Sequence, residues 1–227
     1  MKALALLTVL ASVTQLAEQS PAADVERQSQ AVASGLILLA MAQASFRGTF
    51  TAISAASRCG TLTTLPSIRT SQPERVAAFV LDGIGRGLVA GMAATLVLGF
   101  VTPVGVIQPT YFALYAFATC LTLALLGILC GSRAWVGTQL TTYGGFLGVS
   151  LALPLAVLLR PADVQAAWSI AAHANPFFYY VDGFHYGMVG RAQASPMIGV
   201  MIACGLNSVL AVLCCRIVRP GRGRVSR

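Results

Sequence analysis

The chain of 227 residues is 56% hydrophobic and only 10% charged, with a mean hydropathy of +0.76. Soluble domains carry about 25% charged residues, so this composition predicts an integral membrane protein. The net charge of +8 would suit nucleic-acid binding in a soluble protein, but the arginines lie at the ends of apolar stretches, where the positive-inside rule accounts for them. The six cysteines form no CxxC pair, so neither a disulfide framework nor a zinc site is predicted.

Six apolar stretches predict an all-α polytopic membrane protein, with one transmembrane domain over residues 1–227. A transmembrane helix needs about 20 apolar residues. The first stretch is shorter than that and follows Met1-Lys2, so a short first span and a cleaved signal peptide both remain open. The spans are expected at about 3–17, 31–54, 76–100, 111–130, 139–159 and 196–215.

Small residues recur at every fourth position of the third predicted span. They form a stripe that lets two helix backbones approach closely, so it predicts packing against a neighbouring helix; its glycines are Gly83, Gly87, Gly91 and Gly99. Asp82 and Arg86 in the same span are four residues apart, which predicts a local ion pair, with a proton relay as the alternative.

An aromatic stretch, NPFFYYVDGFHYGMVG, occupies residues 175–190 before the last predicted span. The Asn-Pro pair predicts a turn. Phe177, Tyr180, Phe184 and Met188 then follow at spacings of three and four, which predicts a helix too short to cross a bilayer. Aromatic residues at such a place suit the membrane–water boundary. Together with residues 163–174, this helix would form a short re-entrant hairpin between the fifth and sixth spans, dipping into the outer leaflet.

This stretch resembles the signature before the last transmembrane helix of type-2 ABC transporter permeases, the membrane subunits of bacterial ABC exporters. That family's pattern is Asn-Pro, aromatic residues, a hydrophobic-Asp-Gly-Phe core and then Arg-Tyr-Gly, and this chain departs from it at His185, where an arginine is usual. Residues 33–50 are similar to the family's second span, and the resemblance covers about residues 31–217. It implies an outer gate formed by Asn175, Pro176, Tyr180, Asp182, Gly183, Phe184, His185, Tyr186 and Gly187.

A polar segment at residues 58–75 separates the second and third predicted spans and contains two prolines. Its first part, within residues 54–65 (SAASRCGTLTTL), is similar to the family's cytoplasmic Arg-x-Gly-Thr-Leu segment. The resemblance implies that it contacts an ATPase subunit; composition alone indicates only a loop that sets topology. The candidate coupling residues are Arg58, Gly60, Thr61, Leu62, Arg69, Glu74 and Arg75.

Three polar side chains of the second predicted span, Gln43, Arg47 and Thr51, recur every four residues and so share one face. Arg47 lies eleven residues before Arg58, about 16 Å along a helix. A charge at that depth costs roughly 2.5–3.5 kcal/mol on insertion scales. Two readings stay open: Arg47 extends to the cytoplasmic headgroups, or the three residues face a transport pathway.

The positive-inside rule places both termini in the cytoplasm. Three basic residues are assigned outside, Arg27, Arg160 and Arg191. Ten are assigned inside: Lys2, Arg58, Arg69, Arg75, Arg133, Arg216, Arg219, Arg222, Arg224 and Arg227.

The motifs for nucleotide binding and hydrolysis are missing from the sequence. Lys2 is the only lysine and no GxxxxGK[ST] occurs, so we expect no cofactor on this chain, with ATP and Mg on a partner subunit. No HExxH, GxSxG or paired-carboxylate motif indicates an enzyme. His173, Asp182 and His185 are spaced too loosely to predict a metal site, and we expect Asp182 to bind a donor from His185 or Arg191.

The sequence is therefore interpreted as the permease subunit of an ABC exporter in a bacterial inner membrane. The expected partners are an ABC ATPase, a second permease subunit (as a homodimer or a heterodimer) and the lipid bilayer. By analogy with the family, the substrate would be amphipathic: a drug, a lipid or a glycolipid. The alternative is an ATPase-independent membrane channel or an assembly scaffold.

Overall fold

The computed structural model describes residues 22–58, 72–100, 105–132, 173 and 175–217. Within these ranges five α-helices and no strand are found. We number them α1 (Ala22–Arg58), α2 (Gln72–Gly99), α3 (Pro109–Ser132), α4 (Pro176–Val189) and α5 (Pro196–Ile217).

Four of these helices are long and apolar enough to cross a membrane, over Ser29–Ser57, Pro73–Gly99, Pro109–Ser132 and Pro196–Ile217. These ranges coincide, within a few residues, with four of the six spans expected from the sequence. Helix α4 has 14 residues, about 21 Å in length, which is short of the ~30 Å hydrocarbon core. The expected spans at 3–17 and 139–159 lie outside the described residues, as does most of 163–174. The six-span topology and the re-entrant hairpin therefore stay predictions.

Two boundaries differ from the sequence-based expectation. Helix α1 has 37 residues and begins at Ala22 rather than near residue 31. Both ends of the polar segment 58–75 belong to helices, because Arg58 is the last residue of α1 and α2 already begins at Gln72. Glu74 and Arg75 are thus in the first turn of a helix, where the carboxylate of Glu74 is favourable to the helix dipole.

Helices α1, α2 and α3 pack against one another, and their interface forms part of the core of the described structure. Small residues allow this approach. A Cβ on Gly127 of α3 would come within 2.7 Å of the carbonyl oxygen of Phe46, and one on Gly131 within 2.9 Å of that of Phe50. Phe46 and Phe50 stack beside these contacts, with their ring centroids 5.9 Å apart. Gly127 and Gly131 belong to α3, so the close packing extends beyond the expected stripe of α2.

The glycine stripe of α2 faces α1 for three of its four members. Atoms of Thr49, Ser45 and Met41 occupy the space that a Cβ would take at Gly83, Gly87 and Gly91, respectively. A Cβ on Gly99 would meet no atom within 4 Å, so Gly99 is not part of this contact. The hydroxyl of Ser45 also donates a hydrogen bond to the carbonyl of Gly83 at 2.9 Å. This bond joins α1 to α2.

Helices α2 and α5 lie at the periphery of the described structure. In the most apolar 18-residue stretch of each helix, the buried share is 33% for α2 and 28% for α5, against 56% for α1 and 61% for α3. Their outward faces carry large apolar side chains that suit contact with lipid, among them Leu81, Leu88, Met92 and Leu96 of α2 and Met197, Met201, Val209 and Val212 of α5.

Gly87 and Gly85 provide a matched test of this packing, since both lie near the middle of α2. A Cβ on Gly87 would overlap Ser45 Oγ and Cys120 Sγ, whereas one on Gly85 would meet nothing within 4 Å. We expect Gly87→Ala to destabilise the protein by about 1–3 kcal/mol through overpacking. Gly85→Ala should be neutral or stabilising by up to about 1 kcal/mol, because alanine favours the helix. Thermal unfolding of the two variants in the same detergent measures this, and equal midpoints would contradict the packing.

Candidate functional site

Helix α4 is formed by the aromatic stretch that the sequence singles out. Asn175 is its N-cap: the side-chain oxygen accepts a hydrogen bond from the backbone N–H of Phe177 at 3.0 Å, and Pro176 occupies the first turn, where no N–H is needed. The helix ends at Gly190, whose φ of 74° suits glycine and whose N–H bonds to the carbonyl of Tyr186 at 2.8 Å. Sequence-coded signals at both ends therefore determine the length of α4.

The first contact between α4 and α3 is close, and glycines make it possible. A Cβ on Gly187 would lie 2.6 Å from backbone atoms of Phe112, and one on Gly183 would overlap the ring of Tyr115. The ring of Phe184 lies against that of Phe112, with the centroids 4.8 Å apart. Any larger side chain at position 183 or 187 would push α4 away from α3.

Tyr115 also connects α3 to α5. Its ring is fully buried and its hydroxyl donates a 2.6 Å hydrogen bond to the carbonyl of Pro196, the first residue of α5. Gly199, one turn further on, leaves room for the same hydroxyl. The side chain of Tyr115 thus lies between α4 and the start of α5.

The carboxylate of Asp182 joins α4 to the segment before α5. It is only 8% exposed and accepts hydrogen bonds from the backbone N–H groups of Gln193, at 2.9 and 3.1 Å, and Ala194, at 2.9 Å. These two backbone amides lie just before the N-terminus of α5. A carboxylate is favourable there because the N–H groups and the helix dipole point towards it. A donor from His185 or Arg191 stays a prediction.

The end of α4 is joined to the start of α3 by backbone hydrogen bonds. The N–H of Gln108 donates to the carbonyl of Gly187 at 2.9 Å, and that of Ile107 donates to the carbonyl of Met188 at 3.3 Å. These bonds satisfy carbonyls that a helix C-terminus leaves without an intrahelical partner.

A buried polar network lies deeper between α3, α4 and α5. The hydroxyls of Tyr180 and Thr122 are 2.7 Å apart, and that of Thr122 is 2.9 Å from Asn207 Oδ1. The hydroxyl of Thr122 is also 2.8 Å from the carbonyl of Ala118, so its single hydrogen is shared between that carbonyl and Asn207 Oδ1. Tyr180 is therefore the donor to Thr122. Burial raises the pKa of the Tyr180 phenol, which keeps this donor protonated.

His185 joins α4 to α1. Its Nδ1 is 3.1 Å from the hydroxyl of Ser34, which itself donates to the carbonyl of Ala31 at 2.8 Å. Because the single hydroxyl hydrogen of Ser34 is used in that bond, His185 is the donor, through Nδ1–H. The half-buried ring of His185 thus lies against α1.

The remaining candidate residues lie away from α4. His173 packs on Phe178, with the ring centroids 4.9 Å apart. In the described part of the chain, no three His, Cys, Asp or Glu side chains are arranged to hold a metal. Gln43 is half-buried, and Arg47 and Thr51 are exposed, all on α1. Of the coupling candidates, Gly60, Thr61, Leu62 and Arg69 lie outside the described residues.

Sequence reasoning missed three residues that hold α4 in place: Tyr115, Thr122 and Asn207. Thr122 and Asn207 carry a signal in the sequence, because each is one of the few polar residues within its predicted span. Polar groups at membrane depth pair with one another, since lipid provides no partner. Thr122 and Asn207 are 85 positions apart, so the spacing of residues along the chain does not predict that they contact each other.

Comparison with known proteins finds similarity to the inner membrane transport permease YadH. The chain is 26% identical over 151 residues to YadH of Escherichia coli (strain K12), which is 65% of this chain and 58% of that protein. The same values hold for the protein of this name from Shigella flexneri. The match thus spans less than two thirds of the length of these relatives. No family profile and no solved structure matches the chain.

The bond between Asp182 and the backbone of residue 193 allows a test that separates main chain from side chain. Gln193→Pro removes the N–H that Asp182 binds, whereas Gln193→Ala keeps it and removes only an exposed side chain. We expect Gln193→Pro and Asp182→Ala to destabilise the protein by about 1–3 kcal/mol, the cost of leaving a buried polar group without its partner.

Gln193→Ala should remain within about 0.5 kcal/mol of the wild type, as is usual for an exposed side chain. The thermal midpoints of the three purified variants give the comparison. A loss of stability in Gln193→Ala as large as that in Gln193→Pro would show that the side chain, and not the main-chain bond, is responsible.

Proposed function

We propose that this chain is the permease subunit of an ATP-binding cassette exporter. It moves an amphipathic substrate, such as a drug, lipid or glycolipid, across the inner membrane. The observation that carries the proposal is α4: the NPFFYYVDGFHYG segment is a capped helix, too short to span a bilayer, that packs closely against two candidate spans. Similarity to an inner membrane transport permease supports the same assignment.

The contacts of α4 suggest how it would act as a gate. Asp182, Tyr180 and the carbonyls of Gly187 and Met188 each bond to α3, to α5 or to the segments leading into them. Interfaces that are packed and hydrogen-bonded in this way shift as units rather than deform continuously. Because α3 is in turn packed closely against α1, we propose that the described helices move as one unit. The gate would then open where this unit meets a second permease subunit.

Energy for this movement would come from a separate ATPase subunit, which binds ATP and Mg. Residues 58–75 connect α1 to α2 directly, so a force applied to that segment would reach both helices. In this proposal a second permease subunit, identical or related to this one, completes the pathway, and both termini are in the cytoplasm.

The topology can be tested by fusions at the C-terminus. Because ten of the thirteen basic residues assigned to loops and termini are placed inside, green fluorescent protein fused after Arg227 should be bright. Alkaline phosphatase fused at the same place should be inactive. The opposite pattern would place this terminus outside and rule out the six-span topology.

The contact with an ATPase is tested by reversing charge at the 58–75 segment. Arg69→Glu, alone and together with Arg75→Glu, should remain in the membrane at wild-type levels. Co-purification with the cognate ATPase should fall by about tenfold or more, since a reversed charge at an interface costs more than about 1.4 kcal/mol.

Arg216→Glu is the matched control, because Arg216 is an exposed basic residue assigned to the same side of the membrane; its ATPase binding should be unchanged. Unchanged ATPase binding by the double variant would show that this segment is not the coupling site. If the wild-type protein itself recruits no ATPase, the chain is instead an ATPase-independent channel or scaffold.

A further inference from the structure

The outward strip of α1 has no large apolar side chain. Between residues 29 and 57, the exposed positions are Arg47, Thr51 and Ala55. The large exposed apolar side chains of the described residues lie elsewhere, on α2, α3, α5 and the segment before α3. Since a surface in contact with lipid tails is made of apolar side chains, this strip of α1 is not built to face lipid.

A charged row on α2 continues the strip. Arg75, Asp82, Arg86 and Ala93 follow at spacings of seven, four and seven, which places them on one face of the helix. Val89, which is 61% exposed, also lies on this face, between Arg86 and Ala93. The other lipid-facing side chains, Leu81, Leu88, Met92 and Leu96, occupy the neighbouring face of the same helix.

The two rows adjoin in the structure. The Cδ of Arg86 lies 2.6 Å from where a Cβ on Gly48 would be. Gly48 is the residue that follows Arg47 in the sequence. We call Arg47, Thr51, Asp82 and Arg86 the charged strip.

The charged strip lies at membrane depth. Arg86 is at the midpoint of the candidate span Pro73–Gly99, thirteen residues from either end. The side chains of Arg86 and Asp82 are 58% and 44% exposed, respectively. Ionised groups at this depth face a protein interior or a water-filled cavity, because lipid cannot solvate them.

The strip carries one more positive than negative group. Asp82 accepts hydrogen bonds from Nε of Arg86 through both carboxylate oxygens, at 2.9 and 3.1 Å. With two arginines and one aspartate, the formal charge is +1 whichever arginine Asp82 serves. If protein rather than water covered the charged strip, that protein would therefore have to bring a further carboxylate to the middle of the membrane.

Few acidic residues of this chain are candidates for such a carboxylate. Its seven acidic residues are Glu18, Asp24, Glu26, Glu74, Asp82, Asp163 and Asp182. Asp182 is bound to the backbone before α5, and Glu74 is in the first turn of α2. The predicted spans at 3–17 and 139–159 contain no acidic residue. A second copy would add its own Asp82 together with its own two arginines, so it would bring further excess positive charge.

We propose that the charged strip is one wall of a water-filled pathway and binds the anionic group, a phosphate or carboxylate, of an amphipathic solute. Guanidinium groups are suited to this role because their planar donors match both anions and stay protonated. The neighbouring apolar side chains of α2 would contact the solute's hydrocarbon part. This inference rests on the proposed transport function and adds to it the chemical class of the substrate.

The test uses Thr51→Cys, in nanodiscs of phosphatidylcholine. The hydroxyl of Thr51 bonds only to carbonyls of its own helix, those of Arg47 at 2.7 Å and Gly48 at 3.0 Å, so this change should be tolerated. An anionic (sulfonatoethyl) and a cationic (trimethylammonioethyl) methanethiosulfonate react with the variant. Modification of residue 51 is followed by mass spectrometry, and each rate is divided by that of the same reagent with a small free thiol.

Both water-soluble reagents should modify residue 51, and the normalised rate should favour the anion by roughly tenfold, as expected for a unit charge about 6 Å away in water. The matched control is Met92→Cys on the lipid-facing side of α2, which is 60% exposed and should not react. Added dodecyl phosphate should slow the modification of residue 51, and dodecyl maltoside should not.

Two further substitutions test whether the preference for the anionic reagent follows the charge of the strip. Adding Arg86→Gln to Thr51→Cys brings the charge of the strip to zero and should abolish the preference for the anion. Adding Asp82→Asn raises the charge to +2 and should increase that preference. If the preference moves the same way in both variants, its cause is not the charge of this strip.

Other outcomes overturn the inference. An unreactive residue 51 would show that protein or lipid covers the strip, and an oxidative disulfide between two copies at residue 51 would identify a second copy as the cover. Equal rates for the two reagents would leave a hydrated surface without anion selectivity. Because these measurements need neither the ATPase nor transport, they can fail while ATPase coupling holds, and can succeed while it fails.

Discussion

The close approach of α1 to α2 and α3 is the constraint on which the rest of this structure depends. Within lipid, apolar side chains gain little by leaving one neighbour for another, so helices associate through packing and polar contacts. Gly127 and Gly131 of α3 meet the main chain of α1, and Gly83 and Gly87 of α2 meet its small side chains. With α3 held in this way, its opposite side is presented to α4 and α5.

Polar contacts, together with close apolar packing, determine the position of α4. The helix has only 14 residues, yet its side chains and main chain bond to α1, α3 and the start of α5. Each of these groups would be without a partner in lipid, so the penalty for separation is larger than the net value of a hydrogen bond in water. Asp182 shows this most clearly, because a buried carboxylate that lost both amides would be costly wherever it went.

The sequence predicts the elements of the described structure better than their contacts. Apolar length places four long helices, because hydrophobic thickness sets a minimum that a sequence must meet. The Asn-Pro start and the three-four spacing predict α4, and the pairing of Asp82 with Arg86 is confirmed because it depends on helix periodicity alone. The extension of α1 to Ala22 was not predicted, since polar residues are compatible with a helix that continues beyond the membrane.

The sequence does not predict the contacts that join distant segments, for a related reason. Asp182 finds its donors eleven and twelve positions downstream, in main-chain groups that every sequence possesses, so no residue type identifies them. Tyr180 meets Thr122 across 58 positions, and only the folded packing of α3 against α4 brings them together. Family resemblance drew attention to α4 itself but not to Tyr115, Thr122 or Asn207, which position it.

The described helices form two groups with different surfaces. Helix α3 joins α4 and α5 through the Tyr115 and Tyr180 contacts, and the outward face of α5 is apolar. Helices α1 and α2 instead carry Arg47, Asp82 and Arg86 on a shared outward strip, and the 58–75 segment connects them. A force applied to that segment by the proposed ATPase would reach the two helices that carry the charges. Movement of those charges would change the affinity of the proposed pathway for an anion.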